Sequence, residues 1–267
     1  MDDSHLPSLI DEVSLWSSYF GRLLLEELRL HPGLRLLDLG CGSGFPLLEL
    51  AQRLGGSSRV VGIDPSAAAV RRARWKADQL GLGPVGIVEG DGARMPFPPA
   101  TFDVIVSNLG VNNFERPEAV FAECGRVTRP GGCLALTTNP AGHLQEFYEL
   151  FAATLIELGL RDRLPVLDEH IAHRLTADRI ETLLRGAGFA SFRRRAESFR
   201  MRYLDGTAFF NHFLTRIGFL DGWKSVLEPG QHDAVFSRME SVLNRRAAAE
   251  GPLAMTVPMV YLEAVKG

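Results

Sequence analysis

The stretch Leu37-Asp38-Leu39-Gly40-Cys41-Gly42-Ser43-Gly44-Phe45-Pro46 decides the fold of this chain. The apolar run Leu34 to Leu39 reads as a short strand, the alternating glycines as a tight turn, and Phe45 to Leu54 as a helix. Glycine allows both the unusual dihedrals of such a turn and a close approach of backbone to ligand. The strand ends in an acid, Asp38, and a carboxylate there suits a cationic ligand better than a pyrophosphate. A dinucleotide loop also wants Gly or Ala in its last place, where this chain has Phe45.

Outward from the turn the strand-helix unit recurs. Arg59 to Asp64 reads as a strand closed by an acid, and Pro65-Ser66 leads into a helix Ala67 to Leu80 with Ser66 as N-cap and Gly81 as its stop. A weaker strand, Val85 to Glu89, runs into Gly90-Asp91-Gly92 and then Arg94-Met95-Pro96-Phe97-Pro98-Pro99, whose prolines exclude a regular helix. Phe102 to Asn108 is a buried strand and Pro117 to Val127 a helix, after which Arg129-Pro130-Gly131-Gly132 turns the chain into a strand Cys133 to Thr138. Alternating strands and helices predict a parallel sheet with right-handed crossovers and helices on both faces. Its ligand belongs beyond the carboxyl ends of the strands, where strand order reverses.

Leu9, Val13, Trp16, Phe20, Leu23, Leu24 and Leu28 recur at helical spacing, so residues 1–30 read as a helical arm ahead of a main domain, 31–267. Beyond Thr138, helical insertions are expected at about 140–175 and 203–250. The first reads as a helix Leu144 to Leu160 and a loop running to Leu175. Between the insertions, Thr176 caps a helix ending at Ala187-Gly188, and Phe189 to Arg200 is a sixth strand. Ala254 to Val265 is the last strand, expected antiparallel between the fifth and sixth. In the second insertion Phe209, Phe213, Phe219 and Trp223 either line an apolar substrate pocket under a lid or fill a core between helices.

A chain of 267 residues, 46% hydrophobic and 23% charged, can bury a sizeable core as one elaborated domain. Its net charge of -3 disfavours a nucleic-acid partner, and the run Arg193-Arg194-Arg195 reads as a solvated strand end. Cys41, Cys124 and Cys133 have neither disulfide nor zinc spacing, which fits a reducing compartment. His170 and His173 share a helical spacing but no third ligand, so no metal is expected. The N-terminus lacks a cationic segment followed by an apolar run, and no apolar stretch approaches the ~18 residues of a membrane span. These features read as a cytoplasmic protein; a homodimer stays open.

Residues 34 to 138 resemble the class I S-adenosylmethionine-dependent methyltransferases, and the general style, including the N-terminal arm and the run Arg129-Pro130-Gly131-Gly132, is similar to that of the quinone and secondary-metabolite methylases among them. The resemblance implies a three-layer, doubly wound Rossmann-like α/β fold, with a seven-stranded sheet in the order 3-2-1-4-5-7-6. It implies S-adenosyl-L-methionine as cofactor, leaving S-adenosyl-L-homocysteine. Gly40, Cys41, Gly42 and Gly44 would meet its methionine moiety, with Asp38 orienting it. Asp64 and Pro65 would meet the ribose, Asp91 and Gly92 the adenine, and Asn108-Leu109 would face the transferable methyl.

The run Ser107-Asn108-Leu109-Gly110 lacks the N-P-P-[YF] pattern that holds a planar exocyclic amine or amide, and Asn112 and Asn113 stand where many small-molecule relatives carry a His pair. A small-molecule acceptor methylated at O, C or N is therefore expected. A base is needed only for a hydroxyl, thiol or carbon acid, and His143, Glu146 and His212 are the candidates. Two rivals stand beside this reading: a non-catalytic protein that binds the cofactor or a partner, and a nicotinamide-linked oxidoreductase, which Asp38 and Phe45 oppose.

Overall fold

In the computed structural model, which describes residues 15–83, 85–172 and 174–267, the strand before the glycine turn lies inside a seven-stranded sheet. That strand, β1 (Arg35–Leu39), pairs in parallel with β2 (Arg59–Asp64) on one side and β4 (Phe102–Asn108) on the other. β3 (Val85–Glu89) extends the sheet past β2, and β5 (Thr128–Thr138) extends it past β4. The far edge is made by β7 (Leu253–Lys266), antiparallel to β5, and then β6 (Phe189–Tyr203). The order β3-β2-β1-β4-β5-β7-β6 is the expected one.

β4 is buried along its whole length, and Leu36, Leu37, Ile105, Val106, Leu134 and Ala135 have no exposed surface. Such continuous apolar strands follow from a parallel sheet covered on both faces. The flanking helices are α1 (Leu15–Glu27), α2 (Leu47–Leu54), α3 (Ala67–Gln79), α4 (Pro117–Val127) and α7 (Ala177–Gly186). Ser66 caps α3 by accepting from the Ala69 N–H, and Thr176 caps α7 by accepting from Arg179, both as the sequence suggests. α1 buries Phe20, Leu23 and Leu24 completely and packs on β4 and β5. Leu9 and Val13, expected in the same helix, lie outside the described residues, as does His173.

The chain divides into two units. The first takes in the described residues up to Thr138, with Thr176–Ala196 and Met259–Gly267; the second is Asn139–Leu175 with Glu197–Pro258. Helices dominate the second unit: α5 (Gln145–Glu157), α6 (Leu164–Ala172), α8 (Gly206–Asn211), α9 (Phe213–Gly218), α10 (Leu220–Lys224) and α11 (His232–Glu250). At its heart Trp223 is fully buried, stacked on Phe147 with ring centroids 3.9 Å apart, and with Phe209 and Phe219 each 5.8 Å away. Phe209 and Trp223 thus spend their surfaces within the unit's own core, while Phe213 is half-buried.

Three local readings change. The loop expected before Leu175 contains α6, because Pro165 falls in the first helical turn, where its missing N–H costs nothing. The second insertion is a series of short helices followed by the long α11, and β6 runs on to Tyr203. The segment Arg129-Pro130-Gly131-Gly132 lies within β5 as a bulge, since Phe102 pairs with Thr128 and Val104 already pairs with Cys133. The arginine run on β6 is fully engaged: Arg193 pairs with Glu27 and Glu263, Arg194 with Asp178 and Glu181, and Arg195 with Glu27. Among the described residues, no helix is long and apolar enough to cross a membrane.

Candidate functional site

Strand order reverses between β1 and β4, and the glycine turn leaves β1 at that point. Gly40, Gly42 and Gly44 have φ of +76°, +51° and +110°, a region that side chains with a β-carbon rarely enter. The turn hangs on β2: the N–H groups of Gly40 and Cys41 both donate to the Ile63 carbonyl, at 2.9 and 3.2 Å. Cys41 is buried, and burial, then the charges of Asp38 and Asp64, push its thiol far above the usual range, so it is not a nucleophile.

Asp38 is completely buried in β1. The Leu47 N–H lies close enough to favour its charge, but no donor reaches either oxygen in hydrogen-bonding geometry. Burial, with a smaller push from Asp64, raises the carboxyl to about 8. A buried carboxylate lacking a partner is costly, so this group favours a cation. The α-ammonium of S-adenosylmethionine fits that requirement.

Asp64 closes β2 with both oxygens in use. Oδ2 accepts from the Gly42 N–H and Oδ1 from the Ser66 N–H, each at 2.9 Å. Each oxygen keeps a second lone pair, so the carboxylate can still accept from two vicinal hydroxyls. Pro65 follows, exposed, and lines a cavity of about 350 Å³ together with Leu39, Gly40 and Ile63. Asp91 and Gly92, from the loop after β3, line the same cavity. Asp91 accepts from the Ala93 N–H at 2.8 Å, an Asx turn, and pairs with Arg116 at 3.2 Å. Glu123 and Arg126 of α4 brace this loop, Glu123 accepting from the Met95 N–H and Arg126 donating to the Met95 and Phe97 carbonyls.

Phe114 and Arg116 also line the cavity and carry no motif of their own. Their position could have pointed to them, since they belong to the loop leaving a central strand at its carboxyl end. Asn108, at the end of β4, is buried and tied down, its amide donating to the Ser17 carbonyl while its oxygen accepts from the Thr137 hydroxyl. Leu109 follows in the left-handed region, φ +65°, a strained conformation for a leucine.

The three candidate bases lie in the second unit. His143 is 2% exposed, with its ring 5.1 Å from that of Phe219. Burial, helped by the nearby Arg174 charge, holds its pKa well below the ordinary histidine value, so the imidazole is neutral at neutral pH. Glu146 accepts from the N–H and hydroxyl of Thr256; burial works to raise its carboxyl, but these bonds outweigh it and hold it below the usual range. His212 sits edge-on to Tyr203 at 5.3 Å, and its Nδ1 is buried without a hydrogen-bond partner.

Residues 37–136 match a family model described as a methyltransferase domain. The nocamycin O-methyltransferase of Saccharothrix syringae is 32% identical over 250 residues, covering 90% of this chain and 88% of that protein. The demethylmenaquinone methyltransferase of Geobacillus kaustophilus is 32% identical over 133 residues, 48% of this chain and 56% of its own length. Among solved structures, the YcgJ protein of Bacillus subtilis has the same fold, with a TM-score of 0.63, 16% identity, and coverage of 93% of this chain and 98% of that one. Sheet order, glycine turn and similarity over nearly the whole chain define a methyltransferase. The chain belongs to the class I S-adenosylmethionine-dependent methyltransferases, an enzyme family, and S-adenosylmethionine is its cofactor.

Proposed function

We propose that this enzyme methylates an oxygen of a small-molecule acceptor. The observation that carries the reading is the extent of the similarity to the nocamycin O-methyltransferase: coverage of 90% of the chain takes in most of the second unit, whereas the demethylmenaquinone methyltransferase matches over 48%. Substrate choice belongs to the parts outside the shared cofactor half.

On this reading the methionine end of the cofactor lies along Gly40, Cys41, Gly42 and Gly44, with its ammonium satisfying Asp38. The ribose hydroxyls take the remaining lone pairs of Asp64 beside Pro65. The adenine enters the cavity, its amino group donating to Asp91 and its ring accepting from the Gly92 N–H. Asn108 and Leu109 border the methyl. When bound, S-adenosylmethionine supplies a methyl carbon already activated by its sulfonium. What the protein adds is alignment, exclusion of water and, for a hydroxyl acceptor, removal of a proton.

His143 is the base in this scheme. It is buried and neutral at working pH, whereas the carboxylate of Glu146 is committed to Thr256 and His212 packs on Tyr203. A panel of hydroxylated metabolites, scored by release of S-adenosylhomocysteine and by the mass of one added methyl, identifies the acceptor. With that acceptor, His143→Gln is expected to lower kcat by about 100-fold, the usual worth of a general base. Methylation confined to carbon or nitrogen would overturn the oxygen assignment, and unchanged kcat in the variant would overturn the role of His143.

A further inference from the structure

Phe45 stands where a dinucleotide loop needs a small residue, and in the first unit its ring lies directly on the backbone of Gly21 in the middle of α1. A β-carbon added at Gly21 would come 2.2 Å from Phe45 Cε1 and 2.4 Å from Cζ. No side chain fits at that separation, so ring and helix share a notch that only glycine leaves open. Glycine is otherwise a poor choice for a helix interior, and α1 gives up helix propensity to keep it.

Two further ties hold the same helix. Asn108 at the end of β4 donates to the Ser17 carbonyl at 3.1 Å, one turn before Gly21. At the other end of α1, Glu27 receives both Arg193 and Arg195 from β6. The glycine turn is held by two bonds to the Ile63 carbonyl, one from the Gly42 N–H to Asp64 and one from Gly44 back to Cys41. Phe45 directly follows that turn, and its seat is on α1.

We propose that Gly21 is a positioning residue for cofactor binding: its notch seats Phe45, Phe45 sets the glycine turn, and docking of α1 and binding of S-adenosylmethionine form one coupled equilibrium. Asn108 adds a second link, from the strand end beside the turn to the same helix. The inference rests on the glycine turn holding the cofactor.

The test is a calorimetric titration of the full chain with S-adenosylhomocysteine, using wild type, Gly21→Ala, Phe45→Ala and the double variant, with thermal midpoints measured without ligand. Alanine is the better helix former, so without the notch Gly21→Ala raises the midpoint and leaves the affinity alone. The coupling instead predicts an affinity loss of about tenfold or more in Gly21→Ala, within the range of interactions between contacting residues. In steady state the KM for S-adenosylmethionine rises by a similar factor while kcat at saturation is kept. The double variant is expected to bind no more weakly than Phe45→Ala, because removing the ring frees the space that the new methyl needs. Gly186→Ala, at the end of α7 where an added β-carbon meets nothing within 4 Å, serves as a control expected to match wild type in affinity. Wild-type affinity in Gly21→Ala, or additive losses in the double variant, would overturn the coupling. If Gly21→Ala does not fold, Phe45→Ala decides: reduced affinity supports the seat on α1, and unchanged affinity removes it. Failure of wild type to bind S-adenosylhomocysteine would break the cofactor reading of the turn itself.

Discussion

Trp223 in the second unit and Asp38 in the first are both completely buried, and each brings polar atoms into an apolar interior. Trp223 passes its polarity along: the indole N–H donates to the Tyr148 hydroxyl at 3.1 Å, and that hydroxyl reaches His170 Nε2 at 3.3 Å. Stacked rings close around it. Asp38 has no such relay, and its carboxyl is pushed up to about 8 as a result. The Trp223 cluster spends its polar groups on holding itself together, whereas Asp38 stands as a costly group left unmet, which is what a site for a cationic ligand requires.

If the aromatic cluster is structural, its loss should be felt in stability first. Trp223→Ala is expected to cost about 3–5 kcal/mol, the range for removing a large buried aromatic, as read from a urea midpoint. A loss below about 1 kcal/mol would mean that the ring is only loosely packed and would reopen the pocket-lining reading. If Asp64 belongs to the ligand side of the comparison, Asp64→Ala should weaken S-adenosylhomocysteine by about 10- to 100-fold, since both the ribose contact and the bonds to Gly42 and Ser66 are lost. Arg194→Ala marks the floor. Its pairs with Asp178 and Glu181 are at the surface, so stability should change by less than about 0.5 kcal/mol and cofactor affinity not at all.

The same contrast accounts for what could be read in the sequence. The glycine turn, the acids ending β1 and β2, and the caps Ser66 and Thr176 are local patterns, each legible within a few residues. The strand order followed from those units and the resemblance they carry. Whether Phe209 and Trp223 face a ligand or one another depends on how several short helices meet, and no periodicity encodes that. α6 was hidden because proline reads as a breaker until its place in the first turn is known. The notch between Gly21 and Phe45 joins residues far apart in the chain, and a single glycine in an amphipathic helix gives no hint of it. Arg116 was missed because its role depends on pairing with Asp91, 25 residues away in the chain, at the edge of the same cavity.

Asp38 also sets a pH dependence. Its native pKa lies above the 3.8 of an unperturbed carboxyl, so without cofactor the folded state keeps a proton that the unfolded chain has released. The stability this proton contributes is fully present below about pH 4 and declines as pH rises to about 8. Pairing with an ammonium requires the ionised form, so binding at neutral pH must expel that proton. The most direct measurement is therefore calorimetric titration of S-adenosylhomocysteine at pH 7, in buffers of different ionisation enthalpy, for wild type and Asp38→Asn. Wild type is expected to release about one proton per cofactor bound, while Asp38→Asn binds more weakly and releases none. Equal affinity and equal proton release in the two proteins would contradict the account, because Asp38 would then have no part in holding the cofactor.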